Sequence, residues 1–201
     1  MAFTTDLAAK LTRDASSLPQ TGLSGQWLQR LIDADLAVVH LFSRSARPRA
    51  TRFLAIGVSK LGNGWIYPIL LTIVFLGLGW QSWHVVLLAP ANAALLHILY
   101  PIIKRRFRRK RPFHIDAGLP SLLKTLDEHS FPSGHAMTLT GVLAPIVLAW
   151  PAMSVSAIVL VISMAWSRVA TAHHYPSDVI AGIALGLVLA FPLSSYLLAQ
   201  F

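Results

Sequence analysis

Ser130 to Ala170 reads SFPSGHAMTLTGVLAPIVLAWPAMSVSAIVLVISMAWSRVA, and this stretch decides the fold. A polar hexad, Ser130-Phe131-Pro132-Ser133-Gly134-His135, opens into an apolar run over 135–150; Pro151 interrupts it, and a second apolar run follows over 152–172. About 20 apolar residues in a helix cross a bilayer, so two such runs joined by one proline predict a tight transmembrane hairpin. Working outward, three more runs of that kind lie at 64–80, 83–103 and 179–199, the first two separated only around Gln81-Ser82. Trp65, Trp80, Trp83 and Trp150 stand near the expected ends, where aromatic belts sit. The expectation is an all-α, polytopic transmembrane bundle with about five spans.

Composition agrees. The 201 residues are 55% apolar and 12% charged with a mean hydropathy of +0.60, which excludes an ordinary soluble domain. Cysteine is absent, so disulfides, thiolate nucleophiles and Cys-based zinc sites are excluded. The formal charge of +9 calls for an anionic partner: a lipid surface, a phosphate-bearing substrate or nucleic acid.

Residues 1–23 mix Thr, Ser, Asp, Lys and Gly without periodicity and read as a polar tail. Over 24–62, Trp27, Leu28, Leu31, Leu36 and Val39 recur at helical spacing while Arg30, Asp33 and Asp35 interrupt, the pattern of an amphipathic interfacial helix. Arg44, Arg47, Arg49 and Arg52 argue against a crossing there, since together they oppose insertion by about 10 kcal/mol. The transmembrane domain is therefore placed at 63–201.

Alternating spans bring three motifs to one membrane face: Lys104 to Pro112, Pro132 to His135, and Ser167 to Asp178. Each has a plain reading of its own. A basic run beside a span binds lipid headgroups, and Pro-Ser-Gly is an ordinary turn. Combined, they form a phosphate site. Lys104, Arg111 and Arg168 can neutralise non-bridging oxygens, the guanidinium forks in bidentate fashion. Ser133 and the Gly134 amide, at a helix start, can add donors. His135 and His174, with ordinary pKa values of about 6.5, offer one neutral nucleophile and one protonated acid. Asp178 can accept a hydrogen bond from His174 and fix its tautomer. No carboxylate cluster points to a metal, and no cofactor is expected; the cations would do the work that magnesium does elsewhere.

The arrangement K-x6-R-P (Lys104 to Pro112), P-S-G-H (Pro132 to His135) and S-R-x5-H-x3-D (Ser167 to Asp178) resembles the three signatures of the type 2 phosphatidic acid phosphatase superfamily. The resemblance extends from about Gly64 to the C-terminus. It implies a metal-independent membrane lipid phosphatase acting through a phosphohistidine, with His174 as nucleophile, Asp178 as its partner and His135 as general acid. Lys104, Arg111, Ser133, Gly134 and Arg168 would form the phosphate cradle. Membrane members act on phosphatidate, phosphatidylglycerophosphate or undecaprenyl pyrophosphate. Many have six spans, one more than expected here.

Nearly every Lys and Arg falls on the site's face, while Gln81-Ser82, Pro151 and Ala199–Phe201 carry none, so a multi-pass inner-membrane protein with a cytoplasmic site is expected. Many bacterial relatives face the periplasm instead. His173 is expected to line the site, and Asp127 to lie with Asp116 and Glu128 in a solvated loop. Asn92 should face the bundle, and Gly182 and Gly186 should form a packing groove. Two alternatives are a phosphotransferase using the same phosphohistidine, and a non-catalytic protein binding anionic lipid. Nucleic acid is not an expected partner, because the basic run abuts a span and holds one aromatic, Phe107.

Overall fold

The computed structural model of the protein describes residues 23–125 and 127–200, so the tail expected over 1–23 lies almost wholly outside the described residues. The chain divides into Met1–Ala34 and Asp35–Phe201, and residues 23–34 of the first part are the opening turns of helix α1 (Leu23–Ser45). After α1 come α2 (Arg49–Leu61), α3 (Ile66–Leu78), α4 (Trp83–Phe107), the single turn α5 (Pro112–Ile115), α6 (Gly134–Ala149), α7 (Ser154–Ala170) and α8 (Pro176–Leu198). Pro48 stands between α1 and α2, where a missing N–H and a fixed φ begin a new helix rather than prolong the old one.

The apolar helices follow the expected runs to within a few residues. Among the described residues, three stretches are long and apolar enough to cross a membrane: Ile66–Phe107, Pro151–Ala170 and Pro176–Leu198; Gly134–Ala149 is apolar but shorter. Ile66–Phe107 contains α3 and α4, joined by a 3-10 turn over Gly79–Ser82 in which Gly79 takes φ of 67°, a conformation costly for any residue with a Cβ. Exposed Ile73, Leu76, Leu87, Val155, Ile162 and Val188 give α3, α4, α7 and α8 the apolar outer surface of a membrane protein.

Helix α6 is the centre of the bundle. Every residue from Ala136 to Ile146 is buried, as a helix apolar on all sides must be. It packs most closely on α8. A Cβ at Gly182 would come 2.5 Å from the Ser133 carbonyl oxygen, and one at Gly186 equally close to that of Met137, so this G-x-x-x-G pair is an intramolecular packing groove. Asn92 crosses the core: its Nδ2 donates to Gly141 O (3.1 Å) and Ser194 Oγ (2.8 Å), tying α4 to α6 and α8. Helix α2 packs along α7, where Ser167 Oγ donates to the Ala55 carbonyl at 2.6 Å. The polar ends of α4, α6 and α7 meet around one cavity of about 370 Å³.

Candidate active site

Helix polarity brings the three motifs together. Lys104 lies in the last turn of α4, His135 in the first turn of α6, Arg168 in the last turn of α7, and Asp178 in the first turn of α8. Basic residues at a helix C-terminus and an acid at an N-terminus also suit the helix dipoles. Short backbone bonds then fix the motifs to one another. Ser133 N donates to Asp178 O (2.9 Å), and Ser130 N donates to Arg109 O (2.8 Å). The amides of His173 and His174 both donate to Arg168 O at 3.2 Å, and Ala172, in left-handed conformation at φ 57°, turns the chain back onto α7.

Lys104, Arg111, Gly134, His135, Arg168 and His174 line the cavity. Ser133 is buried beneath it at the start of α6, and Asp178 is buried behind His174. Among the described residues, Ser133 Oγ, Arg168 Nε and His174 Nδ1 are buried without a hydrogen-bond partner; the first two are donors that an incoming anion can satisfy. His174 Nδ1 lies 3.6 Å from Asp178 Oδ2, longer than a formed hydrogen bond. Burial strips the imidazole of water and Arg168, Arg111 and Lys104 repel a proton, so the pKa of His174 is pushed well below the usual histidine value.

His173 lines the same cavity but is held by backbone: Nδ1 lies 2.9 Å from Thr171 O and Nε2 3.1 Å from Leu123 O. Burial first and Arg168 second lower its pKa to about 4.

Five contributors carried no role in the sequence reading. Asp127 is the nearest to the chemistry. Lys104 Nζ donates to its two oxygens at 2.9 and 2.8 Å, and Arg111 Nη2 donates to Oδ1 at 2.8 Å. Burial works to raise the Asp127 pKa, but Lys104 and Arg111 outweigh it and hold the carboxyl below its ordinary value. Without this carboxylate, Lys104, Arg111 and Arg168 would face one another unneutralised. The only signal in the chain was an acid placed between two basic motifs. Asn63 accepts from His135 Nε2 at 2.7 Å, and Ser59 Oγ accepts from Arg168 Nη1. Arg109 binds the far side of Asp178 and is held in turn by Asp35.

Several known proteins that the chain is similar to are phosphatases. The decaprenylphosphoryl-5-phosphoribose phosphatase of Mycobacterium tuberculosis is 37% identical over 137 residues, covering 65% of this chain and 71% of that protein. The lipid A 1-phosphatase of Rhizobium etli is 39% identical over 93 residues, 44% of this chain and 40% of that one. In structure, the chain resembles the transmembrane PAP2 type phosphatidylglycerolphosphate phosphatase from Bacillus subtilis, with a TM-score of 0.66 and 26% identity over 86% of this chain and 88% of the other. Lys104, Arg111, both site histidines, Arg168 and Asp178 all fall inside residues 84–200, the region that matches the PAP2 superfamily model, and the chain is a member of that superfamily and a phosphatase.

Proposed function

We propose that the protein hydrolyses the phosphomonoester or pyrophosphate of a membrane lipid by way of a phosphohistidine at His174, without a metal. The observation that carries this reading is the convergence of three buried cations, Lys104, Arg111 and Arg168, with His135 and His174 on one cavity at the end of an apolar bundle. The cations take the place of metal charge on the phosphoryl oxygens. The helices keep the lipid tail in the bilayer. The substrate phosphate competes with Asp127 for Lys104 and Arg111 as it enters the cradle.

Neutral His174 attacks phosphorus through Nε2. The P–N bond forms as the bond to the lipid oxygen breaks; the electron pair leaves with that oxygen, and His135 gives it a proton. The Nδ1–H of His174 turns to Asp178, whose charge balances the phosphohistidine. Water then attacks phosphorus, His135 takes its proton, and cleavage of the P–N bond returns neutral His174 and inorganic phosphate.

The relatives act on polyprenyl-linked sugar phosphate and lipid A, so both belong in the test with phosphatidate, phosphatidylglycerophosphate and undecaprenyl pyrophosphate. Purified protein in detergent should release phosphate from at least one of them with EDTA present. Strict magnesium dependence would sink the metal-free mechanism, and a phosphorylated acceptor lipid in place of free phosphate would make the enzyme a transferase.

We place the protein in the cell's inner membrane with five crossings, α1 and α2 along the interface, and the site in the cytoplasm, where the basic loops belong. Because the chain has no cysteine, single cysteines report on topology directly. With a membrane-impermeant maleimide on spheroplasts, Gln81→Cys should label and Arg108→Cys should not. The reverse result would put the site on the outer face.

A further inference from the structure

The proposed reaction uses His174 and Asp178, yet neither oxygen of Asp178 is held by His174 in the structure. Asp178 Oδ2 accepts from Tyr175 N at 2.9 Å, and Oδ1 accepts from Arg109 Nη1 at 2.7 Å. The second arm of the same guanidinium, Nη2, donates to Asp35 Oδ2 at 2.6 Å, and its Cζ lies 3.8 Å from the Tyr175 ring centroid. Asp35 is fixed in turn by the start of α8: its Oδ1 accepts from Ser177 N at 3.1 Å, and its Oδ2 from the Ser177 hydroxyl. Asp178 caps the Tyr175 N–H from within the first turn of α8, and Asp35 adds a second cap from α1 by accepting from Ser177 N. Asp35 and Asp178 have side chains 10% and 0% exposed, and a single cation lies between them.

We propose that Arg109, clamped by Asp35, is a positioning residue for the reaction: it fixes the rotation of the Asp178 carboxylate so that Oδ2 faces His174 Nδ1. The Asp178–His174 partnership of the proposed mechanism is the premise. Neither Arg109 nor Asp35 lines the cavity, so neither holds the substrate. The consequence for catalysis is specific. Losing Arg109 frees the carboxylate to turn and leaves two buried acids unpaired, which weakens stabilisation of the charge on His174 and leaves phosphate binding intact. Asp35 acts only through Arg109. A residue outside the family-matched region thereby tunes the nucleophile from the N-terminal helix.

The test is steady-state kinetics of the full-length protein on p-nitrophenyl phosphate. Arg109→Ala should lower kcat by about 30-fold with KM within about threefold, and Arg109→Lys, which can reach one carboxylate but cannot fork to two, should recover part of the loss. In an Asp178→Asn background, Arg109→Ala should cost less than about twofold more, because the group it orients has gone. Asp35→Asn, nearly isosteric and kinder to folding, should cost about fivefold alone and nothing further once Arg109 is alanine. A loss that appears in KM, or losses that multiply with that of Asp178→Asn, would overturn the proposal. Full kcat in Asp178→Asn itself would overturn the Asp178–His174 reading instead.

Discussion

His174→Ala should lower turnover by about 10⁴-fold or more while the protein still folds, because in the proposed mechanism the variant keeps the phosphate cradle and loses the atom that forms the covalent bond. Phosphate release on the best lipid substrate measures the loss, and the melting temperature in detergent checks the fold. The side chain is 1% exposed and its buried Nδ1 has no hydrogen-bond partner, so its removal breaks no network that the fold needs. Activity within tenfold of the wild type would end the phosphohistidine mechanism. Vanadate, which mimics five-coordinate phosphorus, should inhibit the wild type and lose potency in the variant.

The pH dependence follows from the same residue. Protonation removes the lone pair that attacks phosphorus, and burial with Arg168, Arg111 and Lys104 nearby pushes that protonation below the ordinary histidine range. A lowered pKa keeps the imidazole neutral as pH falls through 6.5. The acid limb of kcat/KM due to His174, which reports the free enzyme, should therefore lie well below the pH at which an ordinary histidine would protonate.

His135→Ala should reveal its role through the leaving group. An alkoxide is a poor leaving group without a proton, whereas p-nitrophenolate leaves readily as an anion. For a lipid phosphomonoester, kcat/KM should fall by about 10³-fold; for p-nitrophenyl phosphate the fall should stay within about tenfold. The ratio kcat/KM is the right measure because it ends at cleavage of the ester, before His135 serves as base for water. Equal losses on both substrates would remove His135 from the acid role. Asn63→Leu should show the same discrimination at smaller amplitude. Its amide oxygen accepts from His135 Nε2, which keeps the proton on that nitrogen and the ring in place.

Local pattern was enough for much of this protein. Apolar runs at 83–103 and 179–199 became helices over Trp83–Phe107 and Pro176–Leu198, because a bilayer-length apolar segment must satisfy its backbone internally and a helix does so. Helix α4 runs four residues past the expected end since Lys104, Arg105 and Arg106 suit the negative end of its dipole. The groove at Gly182 and Gly186 was legible for a similar reason: small residues one turn apart let another backbone approach. Lys104, His135, Arg168 and His174 were legible as well, because once the helices alternate, residues at their ends share a face whatever the details of packing.

Asp127, Asn63, Ser59, Arg109 and Asp35 were not legible, and the reason is distance along the chain. Asp35 meets Ser177 across 142 residues, Arg168 meets Ser59 across 109, and His135 meets Asn63 across 72. No periodicity or spacing encodes such pairs. They depend on how α1 and α2 lie against α7 and α8, and therefore on which side chains pack. Asp127 shows the same limit in a loop, where an acid is indistinguishable from its solvated neighbours until Lys104 and Arg111 close on it. The sequence by itself determined where the apolar helices lie and which polar motifs stand at their ends, because these follow from hydropathy and from chemistry carried in short motifs. Only the tertiary structure decided what orients those groups, because burial sets free-energy costs that side chains far apart in the chain must meet together.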